Sequence, residues 1–244
     1  IKLYQILSKS QLDEIFIFHS SLTLVIVSYL ANIKNIYAPG IRYQNFFLSK
    51  KNKLYKNFFS KNIEAVEETK SLTKKILKVD NIEFIPLKYN ANIDEKLVGI
   101  CIACSGSEKQ WGEENYIKLI NFLIENQYNK FLLLSGKDQS DLENSIISNY
   151  SDQIMFIDTS KKNIGEVIPD LKKCNFVIGN DTGFSHLSVA YNKKTFVILG
   201  DCPPHTYSNL ITPIDKDENI ERSNDSIKTI KLEKVLKYLN KSLI

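Results

Sequence analysis

Val177-Ile178-Gly179-Asn180-Asp181-Thr182-Gly183-Phe184-Ser185-His186-Leu187 runs from an apolar strand, through a small turn-prone cluster, straight into a helix. The same alternation repeats on both sides of it. Upstream, Leu97 to Ala103 reads as a continuous apolar strand. Glu113 to Gln127 follows as a helix, with Tyr116, Ile117, Ile120, Leu123 and Ile124 at helical spacing. Lys130 to Leu134 and Ile154 to Ile157 are further strands, and Asp138 to Asn149 is a polar-faced helix between them. Asn163 to Lys173 is a helix with Ile164, Val167, Ile168 and Leu171 on one face. Asn175 to Ile178 then leads into the quoted turn, the helix Phe184 to Tyr191 and the strand Thr195 to Leu199. Apolar, unalternating strands that each precede a helix predict a parallel sheet covered on both faces. Residues 91–226 therefore read as a complete, doubly wound, Rossmann-like α/β domain, whose ligands bind beyond the carboxyl ends of the strands.

The first 90 residues carry less of this pattern. Glu14 to Phe18 and Ile33 to Tyr37 are strands flanking a helix at Leu22 to Ala31, Ile63 to Lys78 is another helix, and Lys88 to Lys96 is a polar linker. One β-α-β unit is too little for a sheet domain of normal size. Residues 1–90 are thus expected to be part of a second Rossmann-like domain. The chain opens on Ile1 and holds a single Met, Met155, so its other strands are expected in a segment before Ile1. Ile227 to Leu243 is an amphipathic helix, making 227–244 a closing segment.

A 244-residue chain with 43% hydrophobic and 25% charged residues is globular in composition. The 32 basic and 28 acidic residues leave a net charge of +4. That mild excess suits an anionic ligand or an acidic membrane surface and requires no nucleic acid. The apolar run Leu22 to Ala31 is far short of a membrane span, and Ile1 to Ser10 lacks the basic start and apolar block of a signal peptide. Four cysteines in this length are no disulfide framework, so a cytoplasmic protein is expected. Cys101-Ile102-Ala103-Cys104 has metal-pair spacing, but it ends an apolar strand and lacks a second pair, since Cys174 and Cys202 stand far apart. These read as small buried thiols.

Three loops follow strands and carry the chemistry. In the quoted turn, the helix start offers unpartnered backbone N–H groups to an anion, Gly183 permits close approach, and His186 can reach the same anion. The alternative is an ordinary strand–helix turn with Asp181 as its cap. The loop Cys104 to Trp111 offers Ser105 and Ser107 hydroxyls, the Gly106 backbone and the Lys109 ammonium. Ser135-Gly136-Lys137-Asp138 holds the equivalent place after the next strand, where Asp138 can take ribose hydroxyls. It is no P-loop, because Phe131 stands where the first Gly belongs and Asp138 where Ser or Thr belongs.

Other chemistries are excluded by single residues. No G-x-G-x-x-G occurs, and Leu187 replaces the second Gly of a nucleophile elbow. Asp215-Lys216-Asp217 spells a D-x-D, but in a run of charges without a preceding apolar strand it reads as a solvated loop. His19 and His205 read as structural, and metal ligands are not expected.

Gly179-Asn180-Asp181-Thr182-Gly183, with His186-Leu187, Ala190, Lys194-Thr195 and Gly200, closely resembles the donor-site signature of the ADP-heptose:lipopolysaccharide heptosyltransferase family, glycosyltransferase family 9. Ser105 to Trp111 is similar to that family's segment ending in Lys-Arg-Trp or Lys-His-Trp, and Leu12 to Ala31 resembles the last strand and helix of its acceptor domain. The resemblance implies a GT-B-like architecture of two Rossmann-like domains. It further implies transfer of heptose from ADP-heptose to a lipid-linked lipopolysaccharide inner-core acceptor, inverting and without metal or other cofactor. By position, Thr182, Gly183 and Lys109 would hold the donor diphosphate. Ser105, Gly106, Asp181 and His186 would line the same pocket, with Asp138 near the ribose. The family's base, an Asp in its first Gly-rich loop, is expected upstream of Ile1. His19-Ser20 and Asp201-Cys202-Pro203-Pro204-His205 depart from the family's Gln-Gly and Gly-Pro-Thr-Asp-Pro. The basic and aromatic stretch Arg42 to Phe59 would face an anionic acceptor at the inner face of the inner membrane, or else forms a solvated helix with core aromatics. Another nucleotide-sugar and glycan, or a nucleotide-binding module without catalysis, are the alternatives.

Overall fold

The structure, a computed structural model, describes residues 2–18, 21–38, 40, 42–49, 52, 65–104, 106, 109–136, 139–150 and 155–243. The chain divides into two compact units, Ile1–Ile82 and Glu83–Ile244.

The first unit contains α1 (Lys2–Lys9), β1 (Glu14–Phe16), α2 (Leu22–Leu30), β2 (Asn35–Tyr37), a 3-10 turn (Arg42–Phe46) and α3 (Ala65–Leu77). Strands β1 and β2 pair in parallel, with Ile15 opposite Ile36. Ser21 caps α2 by accepting the Leu24 N–H at 3.2 Å. Ile17, Val25, Ile33, Ile36, Ala38 and Leu48 make the buried core, with Leu7 of α1 against it. Helix α1 was not expected from the sequence, since Leu3 and Ile6 on it are exposed and only Leu7 packs on that core. In the basic and aromatic stretch, the Tyr43 and Phe46 rings are exposed and stacked with centroids 6.4 Å apart. Lys50, Lys51, Lys53, Tyr55 and Lys56 lie outside the described residues. Among the described residues no helix is long and apolar enough to cross a membrane.

The second unit is built on β3 (Asp94–Cys101), β4 (Lys130–Leu134), β5 (Met155–Asp158), β6 (Cys174–Asn180), β7 (Lys194–Leu199) and β8 (Ile211–Asp215). All pair in parallel, in the order β5-β4-β3-β6-β7-β8. The intervening helices are α4 (Glu113–Glu125), α5 (Ser140–Ser148), α6 (Ile164–Lys173) and α7 (Gly183–Ala190), and α8 (Leu232–Leu243) closes the chain. Successive strand residues point to opposite faces. Val98, Ile100 and Ile178 therefore pack with Tyr116 and Leu119 of α4, Ile146 of α5, and Val235 and Leu239 of α8. Leu97, Cys101 and Val177 pack on the other face with Val167 and Leu171 of α6. Each fully buried Leu or Ile contributes about 1.5–3 kcal/mol, so both layers are held independently.

Three boundaries differ from the sequence reading. The expected linker is partly strand, since Asp94 begins β3 and pairs with Lys130 at 2.7 Å. Residues 83–93 precede it within the second unit, where the Leu87 N–H donates to Ala190 O at 2.7 Å and Phe84 packs edge-on against Tyr207. The closing helix is two pieces, a 3-10 turn (Asn224–Thr229) and α8, because Ile230 between them is extended. Its carbonyl accepts the buried Trp111 indole N–H at 2.7 Å. Asp215-Lys216-Asp217 does follow an apolar strand, β8, which Pro213 hid; an edge strand tolerates proline. Asp215 pairs with Arg222 and Asp217 with Lys234, so both carboxylates serve as ion-pair anchors.

Candidate functional site

The chain leaves β3 toward β4 and β5, then returns to lay β6 on the other side of β3. Their carboxyl ends therefore border the crevice where loops diverge, the place at which open α/β sheets bind ligands. Both the quoted turn and the Cys104 to Trp111 loop emerge there.

The two ends are brought unusually close. Gly179 has φ +145°, and a Cβ on it would lie 2.1 Å from the Cys101 carbonyl oxygen. Buried Asn180 then ties the loops together. Its Nδ2 donates to the carbonyls of Ile102 and Ala103 at 3.3 and 3.2 Å, and its Oδ1 accepts from Tyr116 at 2.6 Å. Both stand in the quoted signature, but the sequence reading assigned neither a role of its own.

Thr182, and not Asp181, caps α7: its hydroxyl accepts the Phe184 N–H at 3.3 Å. The Cys101 thiol sits 3.0 Å from the same oxygen. A Cβ on Gly183 would meet nothing within 4 Å, so the first residue of the helix faces open space. A cavity of about 460 Å³ lies there, lined by Ala103, Cys104, Ile164, Asp181, Thr182, Gly183, Phe184 and Leu187.

Asp181 turns into a cluster instead of capping. Its Oδ1 lies 2.9 Å from His205 Nε2 and 3.4 Å from His186 Nε2, and its Oδ2 accepts from the Cys202 thiol at 3.1 Å. Burial alone would raise this carboxyl, but the hydrogen bonds from His186 and His205 outweigh it and hold it well below the usual range. His186 Nδ1 is 2.7 Å from the Tyr207 hydroxyl. His205, read as structural, is buried yet touches the central acid of the turn. Nothing in its local sequence could have announced that, because β7 and the following loop bring it there.

Lys109 meets the same cluster from the other loop. Its Nζ pairs with Asp201 at 2.6 Å, and its backbone N–H donates to Gly106 O at 3.0 Å. Lys109, Asp201, Cys104, Asp181, Gly200 and Cys202 line a second, polar cavity of about 110 Å³. Cys104 borders both cavities, so it is not the inert buried thiol expected; Cys101 is. Of the expected site residues, Lys109, Asp181, Thr182 and Gly183 thus surround two adjoining hollows, and His186 reaches them through Asp181. Ser105, Ser107, Asp138 and His19 lie outside the described residues.

The third loop is held by a buried carboxyl. Glu143 accepts from the Ser135 hydroxyl at 2.6 Å, and Gln139 Nε2 donates to Cys104 O at 3.4 Å. Burial pushes Glu143 from 4.5 up to about 7, with neighbouring Asp158 adding to the rise. A raised acid is penalised when charged, so its contribution is intact below pH 4.5 and lost as pH climbs through 7. Glu143→Gln should therefore match the parent near pH 4.5 and exceed it by about 3 kcal/mol at pH 8, read from urea unfolding at both values. An equal difference at both pH values would show that folding does not raise this carboxyl.

The profile of glycosyltransferase family 9 (heptosyltransferase) matches residues 37–240. The chain is 25% identical over 122 residues to lipooligosaccharide heptosyltransferase 2 of Haemophilus influenzae, covering 48% of this chain and 35% of that protein. It is 28% identical over 116 residues to its Haemophilus ducreyi counterpart, covering 46% and 33%. The matched stretch is thus about a third of each curated relative's length. Among solved structures, E. coli heptosyltransferase WaaC with ADP superposes with a TM-score of 0.70 at 14% identity, covering 98% of this chain and 76% of that one. The E. coli ADP-heptose lps heptosyltransferase II follows at 0.66 and 17%, covering 98% and 79%. These likenesses place the α/β, parallel-sheet fold with the GT-B-like heptosyltransferases. With the profile spanning most of its length, the chain belongs to glycosyltransferase family 9, the heptosyltransferase family.

Proposed function

We propose that this chain carries the donor site of a heptosyltransferase, which moves heptose from ADP-heptose to a lipid-linked lipopolysaccharide inner-core acceptor with inversion. The observation that carries this reading is the placement of Lys109 and Asp181 around one cavity, beside the open start of α7, where β3 and β6 diverge. The helix start and the ammonium would hold the diphosphate and stabilise the charge that grows on departing ADP. The larger cavity, with Ile164, Phe184 and Leu187 on its walls, has the size and apolar character of a nucleoside pocket. Ser105 and Gly106 would lie beside the phosphates, His186 within their reach, and Asp138 near the ribose. Acceptor deprotonation is assigned to no residue of this chain. The exposed pair Tyr43 and Phe46 in a basic stretch suits peripheral contact with a membrane surface carrying the acceptor.

Calorimetry with ADP, UDP and GDP tests the donor. ADP should bind tightest, Lys109→Ala should weaken it by more than about 1 kcal/mol, and Gly183→Val should abolish it by filling the open space. Asp201→Asn should tighten binding instead, because Lys109 no longer has to leave a carboxylate. Unchanged affinity in all three variants would sink the assignment. ADP binding without heptose transfer by the full-length protein would favour a binding module.

A further inference from the structure

We propose that Asp181, Cys202 and His205 form a site for a single zinc-class divalent ion at the edge of the polar cavity. The donor set comes first. One thiol, one imidazole and one carboxylate are the ligand types that select zinc over magnesium or calcium. Cys202-Pro203-Pro204-His205 sets two ligands three residues apart on a loop stiffened by two prolines, and Asp181 arrives from the end of β6.

Their ligand atoms all lie within 4.8 Å of one another. Cys202 Sγ is 3.1 Å from Asp181 Oδ2, and His205 Nε2 is 2.9 Å from Asp181 Oδ1. Ligands on tetrahedral zinc stand about 3.3–3.6 Å apart, so these two pairs, made by different Asp181 oxygens, must open by a few tenths of an ångström, and a pair at the 4.8 Å limit must close by about 1 Å. In its absence the atoms are linked by protons, a thiol S–H and an imidazole N–H shared with the carboxylate. Zinc takes the place of those protons: the thiol proton is released to solvent, the imidazole carries its one remaining proton on Nδ1 as the neutral tautomer, and a carboxylate and a thiolate balance the ion's two positive charges.

The surroundings hold the ligands in place. Arg222 Nη1 donates to the Cys202 carbonyl while the same guanidinium is paired with Asp215, so the loop is fastened to the end of β8. His186 Nε2 stands 3.4 Å from Asp181 Oδ1, and His186 Nδ1 bonds to Tyr207, which orients the outer ring. Asp181 and Cys202 both line the polar cavity, so three protein ligands leave a fourth position adjoining it. Ion binding itself does not rest on the donor reading. If that reading is also right, the ion neutralises the Asp181 carboxylate next to the diphosphate.

The test uses the intact chain, stripped with a chelator and dialysed, with no nucleotide present. Titration with Co²⁺ should give about one equivalent bound and a thiolate-to-cobalt charge-transfer band, displaced by Zn²⁺ and not by Mg²⁺. Cys202→Ser should remove the band and weaken Zn²⁺ at least tenfold, and His205→Gln should weaken it similarly. Cys104→Ser, the other thiol on the cavity wall, should retain both. If His205→Gln fails to fold, as checked by circular dichroism, the near-isosteric Cys202→Ser carries the test. The site is overturned if the parent binds no equivalent, if Cys202→Ser binds as the parent does, or if Cys104→Ser is the variant that loses the band. In a separate titration, failure of the zinc-binding parent to bind ADP would count against the donor reading alone.

Discussion

Gly179→Ala is expected to prevent the second unit from reaching its native fold. Two costs coincide at this position. A φ of +145° is open to glycine and strained for any L side chain, at about 1–3 kcal/mol. The added methyl would also stand 2.1 Å from the Cys101 carbonyl oxygen and 2.7 Å from its carbon. That neighbour is backbone in the paired strand β3, where Cys101 is opposite Gly179, so it cannot swing away as a side chain could. Relief requires parting β3 from β6 and breaking the Asn180 bonds to Ile102 and Ala103. The sum, about 3–6 kcal/mol, is comparable with the whole stability of an ordinary domain. Gly183→Ala is the matched control. It places a methyl in open space at a helix start and should leave stability within about 0.5 kcal/mol or raise it slightly. Urea unfolding of both variants reads the contrast. Similar losses for the two would mean that β3 and β6 do not approach as described.

Trp111→Ala is the second large effect, at about 4 kcal/mol. The indole is buried, meets the Tyr116 ring edge-on with centroids 5.4 Å apart, and donates to Ile230 O at 2.7 Å. Truncation empties the space between the start of α4 and the closing segment and strands a buried carbonyl. Trp111→Phe keeps most of the packing and loses the hydrogen bond, so it should cost about 1–2 kcal/mol. Proteolysis should find the segment after Ile230 more readily in Trp111→Ala than in the parent, because that segment loses its anchor. Equal protection in both would place the anchor elsewhere. Residue 111 ends the Lys-x-Trp pattern of the family, and its side chain belongs to the core while Lys109, two residues earlier, faces the cavity.

Local pattern carried much of the second unit. Each strand from Leu97 to Leu199 was legible because a sheet covered on both faces demands unbroken apolar runs, and each helix because its buried stripe repeats at helical spacing. Strand β8 escaped because Pro213 and flanking charges disguise an edge strand, and α1 because only one of its apolar residues is packed on the core. The turn at Asp181–Gly183 and Lys109 were visible as loops after strands, since a parallel sheet sends every such loop to one edge.

The partners of those loops were not visible. Asp181 reads as a helix cap, yet a residue 24 positions later, His205, and Cys202 beside it claim both its oxygens. Asp201 answers Lys109 across 92 positions, and Ile230 answers Trp111 across 119. Spacing along a chain reports periodicity within an element; it holds no information on which loops a crossover brings face to face. Strand order supplied that, by setting β6 against β3 and β7 against β6, and with it the chemistry of the crevice.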